Sequence, residues 1–130
     1  MVVQHGRGLT ILNDTYNANP QSMKLSIKTL ALMSAPKRIA VLGDMLELGT
    51  TSAQSHEEVL QVAVDNSDVV IVQGGEFASA ATSMNNSNVV VASDHAGCID
   101  AVREHAVEGT AVLVKGSRGL QMENVVQGLL

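Results

Sequence analysis

Five short apolar runs punctuate the chain, and none alternates strictly between apolar and polar positions. They are Leu9-Thr10-Ile11-Leu12, Ile39-Ala40-Val41-Leu42, Val69-Val70-Ile71-Val72, Val89-Val90-Val91 and Ala111-Val112-Leu113-Val114. Runs of this kind suit strands covered on both faces, as in a parallel sheet between two helical layers. Val2-Val3 precedes the first run across His5-Gly6-Arg7-Gly8. The two glycines permit a tight reversal, so residues 2–13 are expected to form a hairpin.

Between the runs the apolar spacing changes to threes and fours. From Pro20 to Ser34, the residues Met23, Ile27, Leu30 and Ala31 share one helical face, with Lys24 and Lys28 on the other. Pro20 suits a first helical turn, where its missing N–H costs nothing. A second helix is expected over Ser52–Val64, with Val59, Val62 and Ala63 buried and Ser55 and Glu58 spaced as a capping box. Asp94 is a good N-cap for a third, running to Ala106 and burying Ile99, Val102 and Ala106. A short, weak helix is expected over Glu76–Ser83, and another from Leu120 to Leu130. Strand–helix alternation of this kind predicts an α/β fold: a three-layer Rossmann-like domain, its sheet mostly parallel with an N-terminal hairpin. Such folds bind ligands beyond the carboxyl ends of the strands, at a topological switch point. The loops beginning at Asn13, Gly43, Gln73, Ser93 and Lys115 therefore carry the search.

Composition narrows the picture. The 130 residues amount to one domain, and a hydrophobic content of 45% excludes wholesale disorder. No apolar run approaches the ~20 residues that span a bilayer, and the N-terminal stretch lacks the features of a signal peptide. A lone cysteine, Cys98, rules out a disulfide framework or a cysteine-rich zinc site, and reads as a small core residue in a reducing, cytoplasmic setting. The net charge is −5, and the eight Lys and Arg form no basic patch, which argues against a nucleic-acid polymer as partner. Tyr16 and Phe77 are the only aromatics, too few for base-stacking platforms. His5, His56, His95 and His105 show no metal-ligand spacing, and His56 reads as a surface histidine. No P-loop, dinucleotide fingerprint or nucleophile elbow is present; Gly74-Gly75-Glu76 resembles a phosphate-binding turn on weak grounds.

Three strand-end loops stand out. Asn13-Asp14-Thr15-Tyr16-Asn17-Ala18-Asn19-Pro20 packs Asp, the single Tyr and three Asn into one strand-to-helix turn. Capping and turn chemistry explain any one of them. The cluster also suits a nucleotide, since amides can read a purine edge, a Tyr ring can lie on its face and a carboxylate can accept from ribose. Gly43-Asp44-Met45-Leu46-Glu47-Leu48-Gly49 is either a packed loop or one that faces substrate. Lys115-Gly116-Ser117-Arg118-Gly119 gathers two cations, a hydroxyl and two glycines before a helix, which favours an anion site.

Taken together, Asp14 to Pro20, Ala40 to Gly49 and Val114 to Gly119 resemble, in order, the motifs of the C-terminal domain of a Mur ligase. The resemblance covers nearly the whole chain, and its first two strings are those of the branch that adds D-alanyl-D-alanine. It implies an ATP-dependent amide ligase of peptidoglycan synthesis. ATP phosphorylates the terminal carboxylate of UDP-N-acetylmuramoyl-tripeptide, and the amine of D-alanyl-D-alanine attacks the acyl phosphate. It implies nucleotide contacts for Asp14, Tyr16, Asn17 and Asn19. Dipeptide or phosphate contacts fall to Asp44, Met45, Glu47, Lys115, Ser117 and Arg118. No catalytic residue and no metal ligand is expected in residues 1–130. The sugar-nucleotide domain and the central P-loop ATPase domain, with its Mg2+ ligands, are expected as covalently linked partners outside this chain, which alone should be inactive. Two rivals remain: a receiver-like signalling domain, with Asp14 and Asp44 at strand ends and a Lys after the last strand, and a ligand-free interaction module.

Overall fold

A computed structural model describes residues 1–130, and no helix in it is long and apolar enough to cross a membrane. The hairpin forms from β1 (Val2–Gly6) and β2 (Leu9–Asp14), paired antiparallel. Its two central residues, Arg7 and Gly8, have φ of 50° and 78°, the left-handed pair a two-residue hairpin turn requires. Gly8 thus turns as a glycine can, Arg7 shares the left-handed conformation, and Gly6 stays in the strand.

The remaining strands are β3 (Arg38–Gly43), β4 (Val69–Gln73), β5 (Val89–Ala92) and β6 (Ala111–Lys115). All pair in parallel, in the order β1-β2-β6-β3-β4-β5. The helices are α1 (Pro20–Leu32), α2 (Ser52–Asn66), α3 (Gly75–Met84), α4 (His95–His105) and α5 (Glu123–Leu129).

Side chains alternate across a strand, so each apolar run supplies both faces of the sheet. Leu12, Leu42, Val72 and Leu113 meet α1, α2 and α3 through Ile27, Leu60 and Phe77. Ile11, Val41, Ile71 and Val114 meet α4 and α5 through Val102 and Val126. Two cores on one sheet give the three layers, and explain why the runs do not alternate with polar residues.

Local chemistry sets the helix ends. Asn19 closes a capping box with Ser22 and is followed by Pro20; Asp94 accepts from the Gly97 amide, as the sequence suggests. Helix α2 forms where it was expected, but without the Ser55–Glu58 capping box. It begins at Ser52, fed by a 3-10 turn over Gly49–Thr51, and no side chain caps it. Gly49, at φ 63°, turns the chain directly into that helical path, so Ser55 and Glu58 lie inside the helix. Glu58 instead meets Lys24 of α1 and Gln54.

Strand β6 is the switch point. It lies between β2 and β3, yet leads into α5 on one face while they lead into α1 and α2 on the other. The loops after β2, β6 and β3 consequently open side by side, with crevices between them.

Candidate functional site

Strand register brings Lys115 level with Asp14 on one side and with Leu42 on the other. Lys115 continues the inward row of Ala111 and Leu113, so its long side chain runs under the Asp14–Pro20 loop. It is 3% exposed and donates to Asp14 Oδ2 at 2.9 Å and to the Asn17 carbonyl at 2.9 Å. Ser26 of α1 donates to the same Oδ2 at 2.5 Å. Burial pushes the Asp14 carboxyl up, but the hydrogen bonds from Ser26 and Lys115, with the Lys115 charge, hold it below the usual carboxylate range. Both donors use one oxygen. Asp14 Oδ1 has no protein partner, and Asp14 lines an open groove of about 240 Å³ with Tyr16 and Arg118.

A second groove, of about 230 Å³, is lined by Asn17, Leu46, Glu47, Ser117, Arg118 and Gly119. Arg118 borders both. Its guanidinium is half-exposed and is held by Glu123 at the start of α5. Ser117 joins the two loops beside it: its amide donates to the Asp44 carbonyl at 3.2 Å, and its Oγ accepts from the Leu46 amide at 2.8 Å.

That close approach depends on glycines. A Cβ on Gly116 would stand 2.7 Å from Met122 Cγ and 3.1 Å from the Gly43 Cα.

Several residues singled out from the sequence have interior partners. The Asp44 carboxylate accepts from the Glu76 amide at 3.0 Å and the Phe77 amide at 2.9 Å, capping α3. The Gly74-Gly75-Glu76 turn does bind an anion, therefore, and the anion is this chain's own. Gly74 permits it: its φ is 113°, and a Cβ there would lie 2.2 Å from the Asp44 carboxyl carbon. Met45 is 1% exposed and packs in the core beneath the loop, while its neighbours Leu46 and Glu47 are exposed. Lys115 likewise spends its charge inside, on Asp14. Asn17 Oδ1 accepts from the Ala18 amide, and Asn19 Oδ1 caps α1, so turn chemistry occupies one end of each amide. Tyr16 is 80% exposed at the groove's edge.

His56 corrects the sequence reading most sharply. It is fully buried, with Nε2 accepting from the Met45 amide at 3.0 Å and Nδ1 donating to the Ser52 carbonyl at 2.7 Å. The signal was present: His56 lies three residues before Val59 on the buried stripe of α2. Ser26, the third member of the Asp14 network, carried no sequence signal beyond its place on a helix.

A six-stranded, mostly parallel sheet covered by helices on both faces, with two grooves at its switch point, defines the class of domain. The profile described as "Mur ligase, glutamate ligase domain" matches residues 1–118, and the chain belongs to that family. The chain is 36% identical over 135 residues to the UDP-N-acetylmuramoyl-tripeptide–D-alanyl-D-alanine ligase of Bacillus subtilis, covering 99% of this chain and 30% of that protein. With the Treponema pallidum enzyme of the same name the identity is 37%, covering 90% and 27%. The crystal structure of the MurF ligase from Thermotoga maritima in complex with ADP superimposes with a TM-score of 0.84 at 29% identity, over 98% of this chain and 29% of that one. The chain thus spans less than a third of each of these relatives. Membership in this family removes the receiver reading, and the capping role of Asp44 leaves no phosphate-accepting Asp at the end of β3.

Proposed function

We propose that this chain is the C-terminal domain of an ATP-dependent ligase that adds D-alanyl-D-alanine to UDP-N-acetylmuramoyl-tripeptide in the cytoplasmic stage of peptidoglycan synthesis. One observation carries the nucleotide half of the reading. Asp14 is held ionised with an unpartnered Oδ1, in a groove walled by an exposed Tyr ring and a guanidinium. A ribose hydroxyl can donate to Oδ1, the Tyr16 ring can cover a base, and Arg118 can face phosphate. The free amide ends of Asn17 and Asn19 lie in the same turn.

The second groove suits the dipeptide. A dipeptide brings a carboxylate, an ammonium and small methyl groups. Arg118 and the Ser117 hydroxyl suit the carboxylate. Glu47 is the exposed acid of the groove and suits the ammonium, a role closed to Asp44, which is buried against the first amides of α3. Leu46 offers an apolar wall. Asp44, Met45 and Lys115 serve as the frame that fixes these contacts. No three His, Cys, Asp or Glu side chains converge on a metal position, and no step is assigned to Mg2+ on this chain. The chemistry needs the linked sugar-nucleotide and ATPase domains. Closure of this domain over the bound nucleotide would exclude water from the acyl phosphate.

Titration of the 15N-labelled chain tests both halves. ADP should shift the amides of residues 14–19 and 117–119, and D-alanyl-D-alanine those of residues 46–47 and 117–119. Shifts confined to other regions would refute the assignment. The chain alone should release no phosphate from ATP when given both peptide substrates.

A further inference from the structure

We infer that His56 is a positioning residue that sets the Leu46-Glu47 wall of the second groove. The inference rests on the dipeptide reading of that groove. A fully buried imidazole needs an explanation, because a buried polar group without partners destabilises the fold, and an aliphatic side chain would fill the space without that requirement. Its partners supply one. A carbonyl can only accept and a backbone amide can only donate. Ser52 O at 2.7 Å therefore fixes the proton on Nδ1, and the Met45 N–H at 3.0 Å requires a bare Nε2. The ring also meets Phe77 edge to face, with centroids 4.6 Å apart.

One side chain thus ties α2, α3 and the loop after β3 together. The loop then hangs on two successive amides: Met45 N on His56 and Leu46 N on Ser117 Oγ. Directly beyond them Glu47 adopts φ 65°, an uncommon backbone for a residue with a side chain. Two anchored amides hold the chain in that turn and keep Leu46 and Glu47 toward the groove. The nucleotide groove shares only Arg118 with this one, and its Asp14 wall is fixed by Lys115 and Ser26, which do not touch His56. His56 should therefore act on the dipeptide and leave the nucleotide alone.

The test uses His56→Phe, which keeps a flat ring against Phe77 at a somewhat larger volume but removes the acceptor, and His56→Gln, whose amide oxygen can stand near Nε2. In the ligase polypeptide that carries this domain, His56→Phe should raise the KM for D-alanyl-D-alanine at least tenfold. The KM for ATP should stay within twofold, and His56→Gln should return the dipeptide KM to within threefold of wild type. Equal changes in both KM values, a fall in kcat alone, or an unchanged dipeptide KM would overturn the inference. Hydrogen exchange of the chain itself supplies a ligand-free readout: the Met45 amide should exchange at least 100-fold faster in His56→Phe, with Val72 and Leu113 unchanged. Unaltered Met45 exchange would also overturn it. Should His56→Phe fail to fold, the absence of a through-hydrogen-bond coupling between the Met45 amide and His56 Nε2 in the wild-type chain would overturn the inference, and its presence would support the anchor on which it stands. A wild-type ligase with no dipeptide-dependent turnover would count against the substrate reading alone, while the exchange data still report on His56.

Discussion

The two ends of the sheet use the same scarce resource in opposite ways. Helices run antiparallel to the strands they follow, so their C-termini gather where the parallel strands begin. There the cations serve carbonyls. Arg38 donates to Leu30 and Met33 at the end of α1, Lys37 to His105 at the end of α4, and Arg103 and Arg7 to Gly128 and Leu130 at the end of α5. These groups bond the carbonyls of the last helical turns, where intrahelical donors run out, and they oppose the negative end of each helix dipole. At the other end, where ligands would bind, only Lys115 and Arg118 remain. Lys24 and Lys28 lie on the outer part of α1. Lys115 is turned inward onto a carboxylate, and Arg118 borders two grooves. Cations at the N-terminal end of the strands therefore each secure one helix, whereas those at the C-terminal end organise several loops around open space.

The contrast can be broken most severely at Lys115. Lys115→Met would leave Asp14 partly buried without its counter-ion, at an expected cost of about 3 kcal/mol, read by chemical denaturation. Ligand binding should be lost with it, because the Asn17 carbonyl is released too. The same network predicts a pH signature. The folded-state pKa of Asp14 is lowered, so its stabilisation is fully present above the unfolded value and is lost as pH falls through the folded one. The stability advantage of wild type over Asp14→Asn should be constant near neutrality and should shrink below about pH 4. Asp44→Ala frees two amides at the start of α3 and should cost about 1–2 kcal/mol, with the largest exchange changes at Glu76 and Phe77. At the opposite end, Arg103→Ala should cost only about 0.3–1 kcal/mol and leave ADP-induced shifts intact. Least of all, Arg118→Ala should barely alter stability, since its pair with Glu123 is half-exposed. It should nonetheless abolish the dipeptide-induced shifts at 117–119. If Arg103→Ala and Arg118→Ala behaved alike in both assays, the functional distinction between the two ends would be lost.

Much of this was legible in the chain. Continuous apolar runs such as Val69–Val72 announce a doubly covered sheet because both faces need aliphatic residues. Pro20 and Asp94 mark helix starts through local chemistry alone. The three loops that line the grooves are the three whose composition is unusual. Other features were hidden because they depend on distant pairings. Asp44 and Glu47 are three residues apart, and nothing local says that one carboxylate caps a helix 32 residues onward while the other faces a groove. His56 looked like an ordinary helix-surface residue until the loop over it supplied an N–H in need of an acceptor.

What the sequence determined by itself is the set of elements, their order and the loops where polar residues concentrate. These follow from side-chain periodicity and backbone preferences that act within a few residues. Tertiary structure decided the rest. It inserted β6 between β2 and β3, placing Lys115 beside Asp14 across 101 positions of chain. It also assigned each polar side chain to the interior or to the grooves. A buried charge must find its partner wherever the fold brings one, and sequence separation carries no information about that distance.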